Sequence, residues 1–179
     1  ENKASCLLRI INDIGSDKFK YAFIYVPEGN NYNYEELDHN KSDSISERII
    51  DSYAKALFEN YGFKLRKFLG ETNDRDNILN RFEKGDLDVL LAMKCLDEGV
   101  DVPRTQYAIF CSSTGNPRQY IQRRGRVLRT HDDKEFAFIY DMIVKPPIDH
   151  TITNEKQINA EKNILISELK RLMNFAALS

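Results

Sequence analysis

Tyr21-Ala22-Phe23-Ile24-Tyr25-Val26-Pro27 is the stretch from which the rest of this chain is read. The run from Tyr21 to Val26 is nearly continuous in apolar residues, and Pro27 stops it. A strand buried on both faces of a parallel sheet has this composition, whereas a half-solvated strand alternates. Upstream, Cys6, Leu7, Ile10, Ile11 and Ile14 make a helical stripe over residues 5–14 that ends at Gly15. Downstream, Asn30 to Asp43 is polar and reads as an irregular loop. Ser44 or Ser46 then caps a helix striped by Ile45, Ile49, Ile50, Tyr53, Ala56 and Leu57, and Tyr61-Gly62 closes it.

The cadence repeats. Phe63 to Leu69 reads as a second strand, and Asn73 or Asp74 opens a helix bearing Ile78, Leu79 and Phe82. Leu87 to Ala92 is a third strand, Tyr107 to Cys111 a fourth and Phe136 to Tyr140 a fifth. Strands alternating with helices in this way predict an α/β fold with a mainly parallel sheet of five to six strands. Right-handed crossovers put the loops after the strand ends along one edge, where such folds bind ligands. Pro146-Pro147 marks a boundary, and residues 155–177 predict an amphipathic helix carrying Ile158, Leu165, Leu169 and Leu172. The expected organisation is an N-terminal helix within 1–18, a domain over 19–145, and a helical extension over 146–179 packed on that domain.

Composition narrows the class. The 179 residues suffice for one well-buried domain and an appendage. With 41% hydrophobic and 30% charged residues, general disorder is excluded. No apolar run nears the roughly 18 residues needed to span a bilayer, and the opening residues do not resemble a secretory signal, so no membrane partner is expected. Cys6, Cys95 and Cys111 lack CxxC spacing, which predicts a reduced, cytoplasmic setting. His39, His131 and His150 are scattered, and no metal site is expected. A net charge of −2 excludes a dedicated, strongly basic nucleic-acid binder. Any such contact must come from a local patch.

One such patch exists. From Arg118 to Arg129, five arginines fall within twelve residues, after a proline suited to the first turn of a helix. Guanidinium groups stay charged at working pH and match phosphate oxygens two at a time. The run therefore points to a polyphosphate or nucleic-acid partner, and the alternative is a solvated basic helix face. A second constellation, Lys94-Cys95-Leu96-Asp97-Glu98-Gly99-Val100-Asp101-Val102-Pro103, follows the third strand. Gly99 permits a tight turn, and Asp101 sits on a short segment that Pro103 ends. That carboxylate can accept from a sugar hydroxyl or an arginine, or simply from turn amides. Asp97-Glu98 caps a helical turn and is not read as a metal site. Ser112 to Asn116, rich in hydroxyl and amide groups, reads as a turn leading into the arginine helix, with contact to either ligand as the alternative.

Together these segments resemble the C-terminal RecA-like domain of superfamily 2 DEAD/DEAH-type helicases, in the XPB-like and type III restriction-type bacterial branch. Leu96 to Pro103 looks like motif V, and Gln122-Arg123-Arg124-Gly125-Arg126-Val127-Leu128-Arg129 looks like motif VI. Tyr21 to Pro27 takes the place of motif IV, and the resemblance covers about residues 5–145. It implies a RecA-like three-layer sandwich, with ATP and Mg2+ held mainly by a preceding RecA-like lobe of the same polypeptide. By position, Arg126 and Arg129 are implied as catalytic arginine fingers. Gly99 and Asp101 would lie beside the nucleotide ribose, and Gln122 and Arg123 would hold the contact between lobes. Nucleic acid, with DNA favoured over RNA, would meet Pro27, Gly70, Thr72, Met93 and Lys94. Many relatives have threonine where Met93 stands, and methionine cannot donate to a phosphate.

No GxxxxGK[ST] phosphate loop occurs in the chain, so the fragment alone is expected to be inactive as an ATPase. The implied role is the second motor domain of a helicase or translocase, in restriction, defence or repair. The alternative is a RecA-like module that binds nucleic acid or protein without catalysis.

Overall fold

The computed structural model describes residues 3–27, 39–69, 72–93, 102–111, 125–126, 129–145 and 155–176. Five strands form one sheet: β1 (Ala22–Tyr25), β2 (Leu65–Phe68), β3 (Val89–Ala92), β4 (Tyr107–Phe110) and β5 (Phe138–Asp141). Their order is β2-β3-β1-β4-β5, and every neighbouring pair is parallel. Phe23 is in register with Leu90 on one side and Ala108 on the other, so β1 is central. That position accounts for its unbroken apolar sequence. Both faces of β1 are covered, and none of its four residues is more than 3% exposed.

Alternation sorts strand side chains between the two faces. Ile24, Leu91, Ile109 and Cys111 share one buried cluster with Leu7 and Ile11 of helix α1 (Lys3–Ile14) and Ile50, Tyr53 and Leu57 of α2 (His39–Tyr61). The Tyr61 hydroxyl donates to the Leu8 carbonyl at 2.9 Å and ties the end of α2 to α1. On the opposite face Tyr25 stacks on Phe110, ring centres 4.6 Å apart, and Phe23 lies 5.1 Å from Tyr25. Phe82 of α3 (Arg75–Glu83) is fully buried outside the first cluster, edge-on to Tyr21 at 6.0 Å. The sheet is a middle layer with packed side chains on both sides.

One element differs from expectation. The helix expected from Ser44 or Ser46 begins at His39. Apolar periodicity marks a helix only where one face is buried, as at Ile50. The polar residues before it contain no glycine or proline to stop the helix, so it runs on through them.

Parallel strands leave two distinct edges. Past the carboxyl ends the ladder continues, with the Val26 N–H donating to the Ala92 carbonyl and the Cys111 N–H to the Tyr25 carbonyl, each at 2.9 Å. At the amino ends the Gln106 N–H donates to the Tyr21 carbonyl at 3.0 Å, and the Asp88 N–H to the Lys64 carbonyl at 2.7 Å. The chain forms two compact units, Glu1–Met142 and Ile143–Ser179. In the second, α4 (Glu155–Ala176) carries Glu168, whose Oε2 accepts from the Val144 N–H at 3.1 Å and from Arg171 Nη2 at 2.9 Å. No helix among the described residues is long and apolar enough to cross a membrane.

Candidate functional site

Three of the expected nucleic-acid residues share the carboxyl edge. Pro27 follows β1, Thr72 follows β2 and Met93 follows β3. Thr72 is half-buried in a closed turn: its Oγ1 accepts from the Leu69 N–H at 2.7 Å, and its own N–H donates to the Leu69 carbonyl at 3.1 Å. A hydroxyl that accepts inward still has its proton to donate outward. Arg75, the first residue of α3, donates from Nη2 to the same Leu69 carbonyl at 2.9 Å, and its guanidinium lies 5.3 Å from the centre of the Phe68 ring. The turn that carries Thr72 is therefore held from three directions.

The side chain of Met93 turns inward. Its side chain is only 5% exposed and belongs to the cluster under α1 and α2, on the same face as Val89 and Leu91. Burying a methionine contributes about 1.5–3 kcal/mol, more than a thioether gains from touching a polar ligand. Gly70 and Lys94 lie outside the described residues, as do Gly99, Asp101, Gln122 and Arg123.

Arg126 and Arg129 are described. Arg126 is half-buried at a helical position, with Gly125 before it, and Arg129 is exposed. Nothing lies within 4 Å of where a Cβ on Gly125 would stand, so the backbone ahead of Arg126 is open on that side. Two residues after Arg129, the chain reaches a turn that sequence reasoning missed. His131 and Lys134 form an isolated bridge, and Lys134 donates from its main-chain nitrogen to the His131 carbonyl at 3.0 Å.

This turn lies at the amino edge. Lys134 Nζ donates to the carbonyls of Pro103 and Thr105, just ahead of β4, the latter at 3.2 Å. The Asp133 N–H donates to His131 Nδ1 at 3.1 Å, which leaves Nε2 as the protonated nitrogen of the neutral ring, 3.6 Å from Glu83 Oε2. Arg104 donates to the Glu83 carbonyl, pairs with Asp133 at 3.3 Å and covers the Tyr21 ring. Burial lowers the Lys134 pKa, and the Glu83 charge opposes that shift.

Two residues of chain reach at most about 7 Å, so the Arg129 backbone is tethered near His131. The candidate residues are thus divided between the two edges of the sheet. Val102 lies one turn before β4, where the Thr105 N–H donates to its carbonyl at 3.1 Å. Among the described residues, no three His, Cys, Asp or Glu side chains gather as a metal site.

Five parallel strands in one sheet with packed side chains on both faces make the α/β architecture that RecA-like domains share. Residues 40–131 match the helicase conserved C-terminal domain, and the chain belongs to that family, as the C-terminal RecA-like domain of a superfamily 2 helicase. Among curated proteins it is similar to the DNA 3'-5' translocase XPB2 of Sulfurisphaera tokodaii, 33% identical over 87 residues. That alignment covers 49% of this chain and 19% of the relative, so the chain spans about a fifth of that protein.

Solved structures share the fold. The C-terminal part of the Fun30 ATPase domain matches with a TM-score of 0.58 and 17% identity, over 94% of this chain and 54% of that one. Domain 2 of the DEAD-box helicase Mss116p, bound to an RNA duplex, matches with a TM-score of 0.55 and 17% identity, over 80% of this chain and 50% of that one.

Proposed function

We propose that this chain is the second motor lobe of an ATP-dependent nucleic-acid helicase or translocase. The observation that carries the proposal is the division of the candidate residues between two edges. Pro27 and the Thr72 turn follow strand carboxyl ends, while the turn that tethers Arg129 sits at the amino ends.

Backbone phosphates are recognised by neutral donors and main-chain amides as well as by cations, without reading sequence. The Thr72 hydroxyl and the main chain beyond Ala92 supply such donors. DNA is the favoured substrate, because the XPB2 relative is by its name a DNA translocase. At the other edge, the guanidinium groups of Arg126 and Arg129 complete a pocket whose phosphate loop and magnesium ligands belong to a partner lobe. Phosphoryl transfer depends on position and charge neutralisation, and a well-placed arginine finger is worth about 10³–10⁵ in rate. The chemistry of the bound nucleotide is its own; the share of this chain is fixed positive charge and its placement. Gly99, Asp101, Gln122 and Arg123 complete the nucleotide side of the proposal.

Arg129→Ala in the full-length protein tests it. The expected result is a fall in kcat of about 10³-fold, with nucleotide affinity within about threefold of the parent. Unchanged turnover would overturn the assignment.

A further inference from the structure

We infer that the turn His131–Lys134 is a positioning clip that sets where Arg129 points, an inference that rests on the role proposed for Arg129. Two separate segments, residues 103–105 and the end of α3, converge on this turn. Lys134 spends two of its three ammonium donors on the carbonyls of Pro103 and Thr105. His131 faces the carboxylate of Glu83, the last residue of α3. Arg104 joins the two, since it donates to the Glu83 carbonyl and pairs with Asp133.

A surface ion pair alone contributes little, and Asp133 is exposed. Lys134 is different. Burial lowers its pKa, so keeping an ammonium there is costly, and that ammonium holds two main-chain carbonyls. Carbonyls of a segment running into a central parallel strand are among the least mobile acceptors in the domain. A turn anchored on them transmits that rigidity to whatever precedes it in sequence. What precedes it is Thr130, and then Arg129.

The segment that receives Lys134 is also the end of the motif V-like stretch, since Pro103 closes that stretch. The clip therefore joins the tail of one motif-like segment to the tail of the other. An arginine finger must be placed to within about 1 Å, because a misplacement of that size costs on the order of 100-fold in rate. Lys134 and His131 touch neither nucleotide nor phosphoryl group in this scheme; they are positioning residues.

The test uses the full-length protein and its nucleic-acid-stimulated ATP turnover, with Arg129→Ala measured alongside. Lys134→Met removes both donors at similar length, and kcat is expected to fall about 10- to 100-fold, with the KM for ATP and nucleic-acid affinity within about threefold. Lys134→Arg can still donate to two carbonyls and is expected to recover most of the lost kcat. Hydrogen exchange in the peptide spanning Arg129 is expected to speed up in Lys134→Met while β1 and β3 stay protected. If Lys134→Met does not fold, His131→Ala is judged by the same split between kcat and KM, and His131→Gln serves as its rescue. Parental kcat in Lys134→Met beside an inactive Arg129→Ala overturns the clip and leaves the finger standing. Parental kcat in both variants overturns the finger, and the clip with it.

Discussion

The guanidinium carbon of Arg104 lies 4.2 Å from the centre of the Tyr21 ring, directly beneath the start of the central strand. Tyr21 has φ of 52°, a left-handed backbone that a bulky residue adopts only when its surroundings hold it. The holding contacts are on both its ends. Its carbonyl accepts from Gln106, Phe82 meets the ring edge-on, and Gly85 comes close to the hydroxyl. A strained residue at the entry to β1 is thus stabilised by α3, by the turn after it, and by the segment before β4.

Gly85 is the first point at which this arrangement can be broken. Its φ is 81°, and a Cβ there would stand 2.6 Å from the Tyr21 hydroxyl oxygen. The left-handed backbone alone costs an alanine about 1–2 kcal/mol. The ring can yield only by giving up its contact with Arg104. Gly85→Ala is expected to lower unfolding free energy by about 1–2 kcal/mol in denaturant titration. A shift below the error of the titration would mean that the backbone at residue 85 relaxes out of the left-handed region and that the Tyr21 ring moves aside.

Thr105 offers the opposite sign. It is fully buried, and among the described residues its hydroxyl oxygen has no hydrogen-bond partner, although its carbonyl serves Lys134. A buried hydroxyl with no partner costs about 1–3 kcal/mol of desolvation. Valine has nearly the same shape and suits the extended chain entering β4. Thr105→Val is expected to keep or raise stability, by up to about 1 kcal/mol, and thermal melting checks it. A loss of 2 kcal/mol or more, on the order of a removed buried hydrogen bond, would sink the prediction.

Cys111 makes stability fall at high pH. Its thiol is fully buried after β4, and burial, the dominant cause, pushes its pKa from 9.0 up to about 12. The unfolded chain ionises this thiol above pH 9 while the folded chain keeps it protonated, so the folded state binds more protons in that window. The contribution is whole below pH 9 and is lost as pH climbs toward 12. Each pH unit in the window costs on the order of 1.4 kcal/mol. Lys134, with its lowered pKa, works in the opposite direction, but it is common to parent and variant. Cys111→Ala is expected to flatten the fall in unfolding free energy between pH 9 and 11. Equal slopes in parent and variant would count against it.

The parallel sheet was legible because burial on both faces leaves a mark in the three inner strands. Phe23, Leu90 and Ile109 all sit in apolar runs, and all three are fully buried. The start of α2 was not legible, since polar helical turns carry no periodic signal. Met93 turns inward with Val89 and Leu91 by the alternation of the strand. The clip at His131–Lys134 was hidden for a different reason. His131 lacks metal-ligand spacing and Lys134 resembles any surface lysine; their partners, Glu83, Pro103 and Thr105, lie 29 or more residues away in sequence. What sequence did carry for the site was chemistry, in the arginine run and the threonine after β2, without the edge to which each belongs.

Thr72 brings fold and proposed function together in one oxygen atom. Its hydroxyl accepts from the Leu69 N–H at 2.7 Å, and this bond closes the turn at the end of β2. The same hydroxyl has one proton left for a phosphate oxygen. Thr72→Val removes both at nearly constant volume. The lost internal bond is expected to lower stability by about 1 kcal/mol, and the lost phosphate bond to raise the nucleic-acid Kd of the full-length protein about tenfold. Thr72→Ser keeps the oxygen and is expected to restore both values. Fluorescence anisotropy at fixed salt separates the two effects from chemical denaturation, since phosphate affinity depends steeply on ionic strength. If Thr72→Val loses stability but binds nucleic acid like the parent, the hydroxyl is a turn closure alone, and contact at this edge must come from main-chain amides.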